Sequence, residues 1–166
     1  LVATGVAPSS FYELDAGGSR QRAHFDGLPV EFIADAISTL GVDVVAGFET
    51  YHVMNPYDDG ISMDTYVDWL IDAGYQIALV PDYAAWLARF ETTLRGLPDK
   101  QRQASLLPLL HNYQRPGHLI NGSLAPADHF RAAVQDHKVG PEKDVPHVCA
   151  PVIVKYITDL ELLGLL

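Results

Sequence analysis

Seven histidines and the carboxylate pair Asp58-Asp59 are the side chains of this sequence with the most obvious capacity for chemistry. A zinc site built on a helix needs two imidazoles one turn apart, or cysteines and histidines at short fixed spacing. No histidine here pairs with another at i, i+4, there is no HExxH, and His147-Val148-Cys149 is the nearest approach to a Cys/His cluster. The histidines therefore read as capping and surface residues, with no metal. A Ser–His–Asp set can be assembled on paper from any chain of this length and carries no weight without geometry. Asp58-Asp59, set between Tyr57 and Gly60, reads as a solvated turn rather than an acid/base dyad. Trp69 and Trp86 read as packing anchors.

Dinucleotide and phosphate chemistry call for glycine-rich turns at strand–helix junctions, and these are absent. The chain has no GxGxxG or GxxGxxG, no GxxxxGK[ST] and no GxSxG elbow. A Tyr-x-x-x-Lys pair is missing too: Gly96, Val134, Val139 and Pro151 stand four residues before the four lysines, Lys100, Lys138, Lys143 and Lys155. A dinucleotide-dependent enzyme cannot be complete within these residues, and no catalytic residue is assigned.

The elements that would position any site are those of an α/β chain, predominantly helical, with two or three short strands. At its centre, Phe48 to Met54 reads as a short buried strand, rich in aromatic and β-branched residues and stopped by Asn55-Pro56. Tyr57 to Gly60 turns the chain, Ser62 caps a helix with Asp64 near its positive end, and Met63, Tyr66, Val67, Leu70 and Ile71 share a face that Gly74 closes. Before this unit, Leu1 to Thr4 reads as a last helical turn ending at Gly5, and Pro8 to Ser19 as a polar hairpin or loop. A helix then enters at Gly27-Leu28-Pro29-Val30, with Val30, Ile33, Ala36, Ile37 and Leu40 on its apolar face and Phe32 beside it. After it come a strand at Gln76 to Val80 and a helix carrying Tyr83, Trp86, Leu87, Phe90 and Leu94. Ser105 to Tyr113 reads as helical, kinked or delimited by Pro108. A long loop follows from Gln114 to Ala125, then a short helix from Pro126 to His137 using Phe130 and Val134, and a charged loop to Val145. The last helix starts near Pro151 and is expected to bury Val152, Ile153, Tyr156, Ile157, Leu160 and Leu163.

With 166 residues the chain suffices for one domain, and 48% apolar content argues against disorder. A formal charge of −10 disfavours nucleic acid and anionic membrane surfaces, both of which call for Lys and Arg. No apolar run is long enough to span a bilayer. Cys149 is alone, which excludes an internal disulfide and suits a reducing, cytoplasmic setting. Asn121-Gly122-Ser123 has the form of a glycosylation sequon, without meaning in such a compartment. Opening at Leu1 with no methionine or signal peptide, the sequence reads as the continuation of something longer.

Four strings carry a family resemblance: QRAHFDGLPVEFIADAISTLG, FETYHVMNPYDDGISMDTYVDWL, LLPLLHNY and VIVKYITDLELLGLL. Over its whole length the chain resembles the C-terminal end of the carboxylic acid reductases, with ETYHVMNP and LPVEFIADAI the most specific parts. These are multidomain enzymes with an adenylation domain, a phosphopantetheine carrier domain and a terminal thioester reductase of the extended short-chain dehydrogenase type. That reductase uses NADPH to release the carrier-bound acyl group as an aldehyde.

The resemblance implies that residues 1–60 are the end of the Rossmann part and residues 61–166 a mostly helical substrate lobe. It implies an NADPH site mostly upstream, and as partners the upstream Rossmann part, the carrier domain with its phosphopantetheine arm and the acyl thioester. It also implies a substrate-lobe role for Pro29, Val30 and Phe32. The isolated chain is then expected to be inactive and, with apolar faces uncovered, to self-associate. The competing reading is a non-enzymatic, acidic, helical protein-interaction module.

Overall fold

The computed structural model describes residues 1–42 and 46–166. It is predominantly helical, with a two-stranded parallel sheet among the described residues, which is the α/β class read from the sequence. The chain folds as two compact units that interleave in sequence. Leu1–Arg22, Ser62–Leu119 and Ala150–Leu166 form the first, and Ala23–Ile61 and Ile120–Cys149 the second.

The first unit opens with a 3-10 turn, Val2–Thr4, closed by Gly5 at φ 64, a left-handed conformation that glycine adopts without a Cβ penalty. Strand β1 (Val6–Pro8) follows and pairs in parallel with β2 (Ala78–Val80), Val6 opposite Ala78 and Pro8 opposite Val80. Pro8 has no amide to give, so Ser9 donates the closing bond to Val80 O at 3.0 Å. The sequence places Pro8 in a polar hairpin or loop and gives Val6 and Ala7 no element, so β1 is not expected from it. Three residues ending in proline carry too little periodicity to announce a strand.

Helix α2 (Met63–Asp72) begins as expected at Ser62, which is extended at φ −135, and the Thr65 hydroxyl accepts from the Ser62 amide at 3.2 Å. Asp64 does more than complement the helix dipole. Its carboxylate is buried, accepting from the Ser10 hydroxyl at 2.6 Å and from the Phe11 amide at 2.7 Å. Arg20 sits beside it, with Nε 3.7 Å from Asp64, and donates twice to Asp68. Helix α3 (Tyr83–Gly96) is capped by Asp82, which accepts from Ala85 N, and buries Trp86, Phe90 and Leu94 at i, i+4 and i+8. Trp86 is the anchor expected of it: Phe11, Tyr83 and Phe90 pack on it with ring centroids 5.4, 4.9 and 5.2 Å away. Helix α4 (Asp99–Gln103) follows the Gly96-Leu97-Pro98 break, and Leu107–Tyr113 is a 3-10 helix with Pro108 in its first turn.

One expectation in these elements needs correction. Helix α6 (Ala150–Leu162) starts where the sequence said, but none of its residues is fully buried, and Leu163 beyond it is 62% exposed. Its apolar face is only half covered, and the chain leaves the helix at Leu163 before that residue reaches a core.

The second unit is built on α1 (Val30–Val42) and α5 (Asp128–Asp136). Its core joins Phe32, Ala36 and Leu40 to Phe130, Val134, Val139 and Val145. The inward stripe of α1 is thus 32–36–40, not the face drawn through Val30, Ile33 and Ile37. Val30 and Ile37 are 65% and 64% exposed. Phe32 wins the inward position because its ring fills the space against Phe130, with centroids 6.3 Å apart. Gly140 lets the chain pass that ring closely, since a Cβ there would sit 3.4 Å from it.

Phe48 to Met54 forms no strand. The second unit contains no other strand among its described residues to pair with, so an extended run there would leave its ladder groups unpaired. Phe48 is 88% exposed, and Tyr51 alone of the run packs on the core, against His129 and Phe130.

The Asp64 contacts yield a prediction. Replacing Asp64 with Ala strands the buried Ser10 hydroxyl and Phe11 amide, at roughly 1–3 kcal/mol for each group. Asp64→Asn, which keeps one acceptor, should lose less. Urea denaturation of both variants measures the difference.

Candidate functional site

In the second unit, four loop segments meet in a buried polar cluster. Asn55, read from the sequence as a stop signal, is a hub: its amide donates to Asp26 O, and its side-chain oxygen accepts from Tyr57 N at 3.0 Å. Asp59 accepts from Ile61 N at 2.9 Å, the short-range bond that makes an aspartate a turn residue. His24, whose side chain is wholly buried, lies between two carboxylates. Its Nε2 is 3.1 Å from Asp26 and its Nδ1 3.6 Å from Asp59. Asp59 in turn lies 3.7 Å from His147 Nδ1. Asp59 is only 13% exposed, so the Asp58-Asp59 turn is solvated at Asp58 alone, and His24 departs from the expectation of surface histidines.

Aromatic and cationic groups brace this cluster. The His147 ring stacks on Tyr57 at 3.7 Å, the Tyr57 hydroxyl donates to Val145 O, and Arg131 lies over the Tyr57 ring at 4.8 Å. Burial, and next to it the Asp144 carboxylate, push the Tyr57 phenol above its ordinary value. Arg131 also makes a two-pronged contact with Asp144 at 2.9 and 2.7 Å. That bond holds the Asp144 carboxyl at about 2, against 3.8 for an ordinary aspartate.

A cleft of about 400 Å³ lies against the cluster's loops, lined by Pro56 and by Ser123 to Asp128. Its wall is pinned from behind: the Ser123 hydroxyl donates to Asn55 O and the Leu124 amide to Asp26 Oδ2 at 3.2 Å. His52 adds a contact to Pro126 O at 3.1 Å. The first unit holds a different cavity, about 340 Å³, walled by aliphatic side chains that include Val2, Met63, Leu70, Leu94, Ile157 and Leu160. It suits an apolar ligand, and none of its lining side chains is an acid or a base. Among the described residues no group of three or more His, Cys, Asp or Glu could hold a metal ion. No described helix is long and apolar enough to cross a membrane.

The three residues singled out by the resemblance separate in the structure. Pro29 is buried, and its carbonyl accepts from the Ile33 amide in the first turn of α1. Phe32 is a core residue of the second unit, and Val30 faces outward. Sequence reasoning passed over His24, Asn55 and Ser123, which give no local signal because their partners lie far along the chain.

No protein-family model matches the chain. Carboxylic acid reductases from Mycobacterium marinum and Mycobacterium tuberculosis are 67% and 64% identical to it over its full length. The chain spans only 14% and 15% of those proteins. The crystal structure of the reductase domain of a nonribosomal peptide synthetase from Mycobacterium tuberculosis superimposes on the whole chain with a TM-score of 0.85, at 58% identity, and the chain covers 39% of it. In sequence the chain matches a C-terminal stretch of carboxylic acid reductases, and in fold a part of a nonribosomal peptide synthetase's reductase domain. Both units, and therefore both the polar cluster and the aliphatic cavity, lie within the matched length.

The Arg131–Asp144 pair predicts a pH dependence. Asp144 binds its proton more weakly folded than unfolded, so the pair stabilises the second unit fully above about pH 4 and progressively less toward pH 2. Arg131→Met should be less stable at neutral pH and lose less between those limits. Acid titration followed by circular dichroism compares the two slopes.

Proposed function

We propose that this chain is the substrate-binding, C-terminal part of an NADPH-dependent thioester reductase, which releases a carrier-bound acyl group as an aldehyde in an overall carboxylic acid reduction in the cytoplasm. The observation that carries the reading is 67% identity to a carboxylic acid reductase along the entire chain. A 340 Å³ cavity of aliphatic character supports it as a place for an acyl group. On this reading residues 1–60 close the Rossmann part and residues 61–166 form the substrate lobe. The lobe orients the thioester and excludes water from the reduction, while the cofactor supplies the hydride. Its partners are the upstream Rossmann part, the carrier domain with its phosphopantetheine arm, and the acyl thioester.

The described residues do not fit the cofactor's pyrophosphate. Where β2 leads into α3, the helix N-terminus already holds the Asp82 carboxylate, bonded to Ala85 N at 2.6 Å. An anionic cap there occupies and repels what a phosphate would seek. The cofactor belongs elsewhere in the complete reductase, and the chain by itself should neither bind NADPH tightly nor reduce thioesters. Isothermal titration that found micromolar NADPH affinity for the chain alone would sink this reading.

Of Pro29, Val30 and Phe32, Val30 is the one we assign to ligand contact, with Pro29 setting its direction and Phe32 supporting from the core. In a complete reductase, Phe32→Ala should lower stability by about 3–5 kcal/mol and affect every acyl group alike. Val30→Ala should leave melting nearly unchanged and alter kcat/KM unequally for bulky and small acyl groups. Equal effects of Val30→Ala on all acyl groups would remove it from ligand contact. The exposed apolar residues of α1, Val30, Ile37 and Val42, are expected to make the isolated chain self-associate. A monomer by light scattering at high concentration would contradict this.

A further inference from the structure

Residues 120–127 run without helix or strand into the cleft wall that begins at Ser123, and just before that wall they carry an Asn-Gly pair, Asn121-Gly122. Asn121 is exposed and is followed by Gly122, which has φ 75 and open space around the position of a Cβ. Among the described residues neither the Gly122 amide nor the Asn121 side chain makes a hydrogen bond. A glycine amide that is unblocked and unbonded is the best placed backbone nucleophile for the side-chain carbonyl before it. The residues just beyond are held fast: the Ser123 hydroxyl donates to Asn55 O and the Leu124 amide to Asp26.

We infer that Asn121-Gly122 is a site of spontaneous deamidation, and that the change loosens the cleft wall formed by Ser123 and Leu124. The Gly122 nitrogen attacks Asn121 Cγ, a new C–N bond closes a five-membered imide, and the bond to Nδ2 breaks as ammonia leaves with the proton lost by Gly122. Water then opens the ring at either carbonyl. One opening restores the main chain with aspartate at 121. The other routes the main chain through the side-chain carbon and gives isoaspartate. The sum is amide plus water to carboxylate plus ammonium, with no oxidant or enzyme. Each product adds a negative charge close in sequence to the Leu124 amide that Asp26 holds, and isoaspartate also lengthens the main chain by a methylene within residue 121, one glycine before the Ser123 anchor.

The other two asparagines are internal controls. Asn55 precedes Pro56, whose nitrogen has no proton to lose, so the imide cannot form there. Asn112 lies in the 3-10 helix Leu107–Tyr113 and precedes the bulky Tyr113. The test incubates the folded chain at mildly alkaline pH and maps its peptides by mass spectrometry over time. The Asn121 peptide should gain the amide-to-acid mass increment as two separable isomers while Asn55 and Asn112 keep their amides. Asn121→Gln should remain unmodified, because its longer side chain must close a slower six-membered ring. Reaction at Asn121 no faster than at Asn112 would overturn the site. Hydrogen exchange at the Leu124 amide should rise in the aged protein and not in aged Asn121→Gln. Unchanged exchange in a fully deamidated sample would overturn the link to the cleft wall.

Discussion

Buried backbone amides and carbonyls must find partners, and a sheet of three residue pairs satisfies very few of them. Short acidic and amide side chains do the remaining work here. In the first unit Asp64 takes the Phe11 amide and the Ser10 hydroxyl, which ties the segment after β1 to the first turn of α2. In the second unit Asp26, Asn55 and Asp59 hold three separate stretches of irregular chain at one point. These are charge-assisted or turn-forming bonds at low exposure, the setting in which a lost partner costs most. The loops of this protein are therefore as determined as its helices.

That constraint also explains which parts of the fold the sequence could reveal. Helices α1, α2, α3, α5 and α6 were legible because apolar periodicity, capping residues and terminal glycines act within one or two turns. The expected strand at 48–54 failed for the opposite reason: aromatic and β-branched composition describes a segment that suits a sheet, and no partner strand exists for it among the described residues. β1 went unseen because its pairing with β2 is decided some seventy residues away. The polar cluster was invisible on the same grounds, since Asp26 meets Leu124 and Tyr57 meets Val145 across similar separations. A histidine in sequence is ambiguous between surface and interior, and only the arrival of Asp26 and Asp59 makes burial of His24 tolerable.

Function was legible through strings rather than through chemistry. No constellation of nucleophile, base or phosphate turn emerges from the residues, and the structure adds a buried relay of imidazoles and carboxylates whose inner member has no access to solvent. Such a cluster fits a role in holding a wall in place. The lining of the 340 Å³ cavity is likewise a wall of mostly apolar side chains that gives shape and excludes water. A segment made of supports and walls has little reason to carry a catalytic signature of its own.

The start of α1 shows why a family string cannot by itself separate a ligand contact from a core residue. Positions 30 and 32 are about 200° apart around a helix, so a helix that buries one must turn the other away. Pro29 fixes the entry of the chain into the first turn and with it the orientation of both. Phe32 goes inward against Phe130, and Val30 is left 65% exposed. The LPVEFIADAI string therefore combines two physical demands, packing at 32, 36 and 40 and an outward apolar surface at 30 and 37. Only the burial of each side chain distinguishes them: Phe32 packs in the core of the second unit, and Val30 stays exposed.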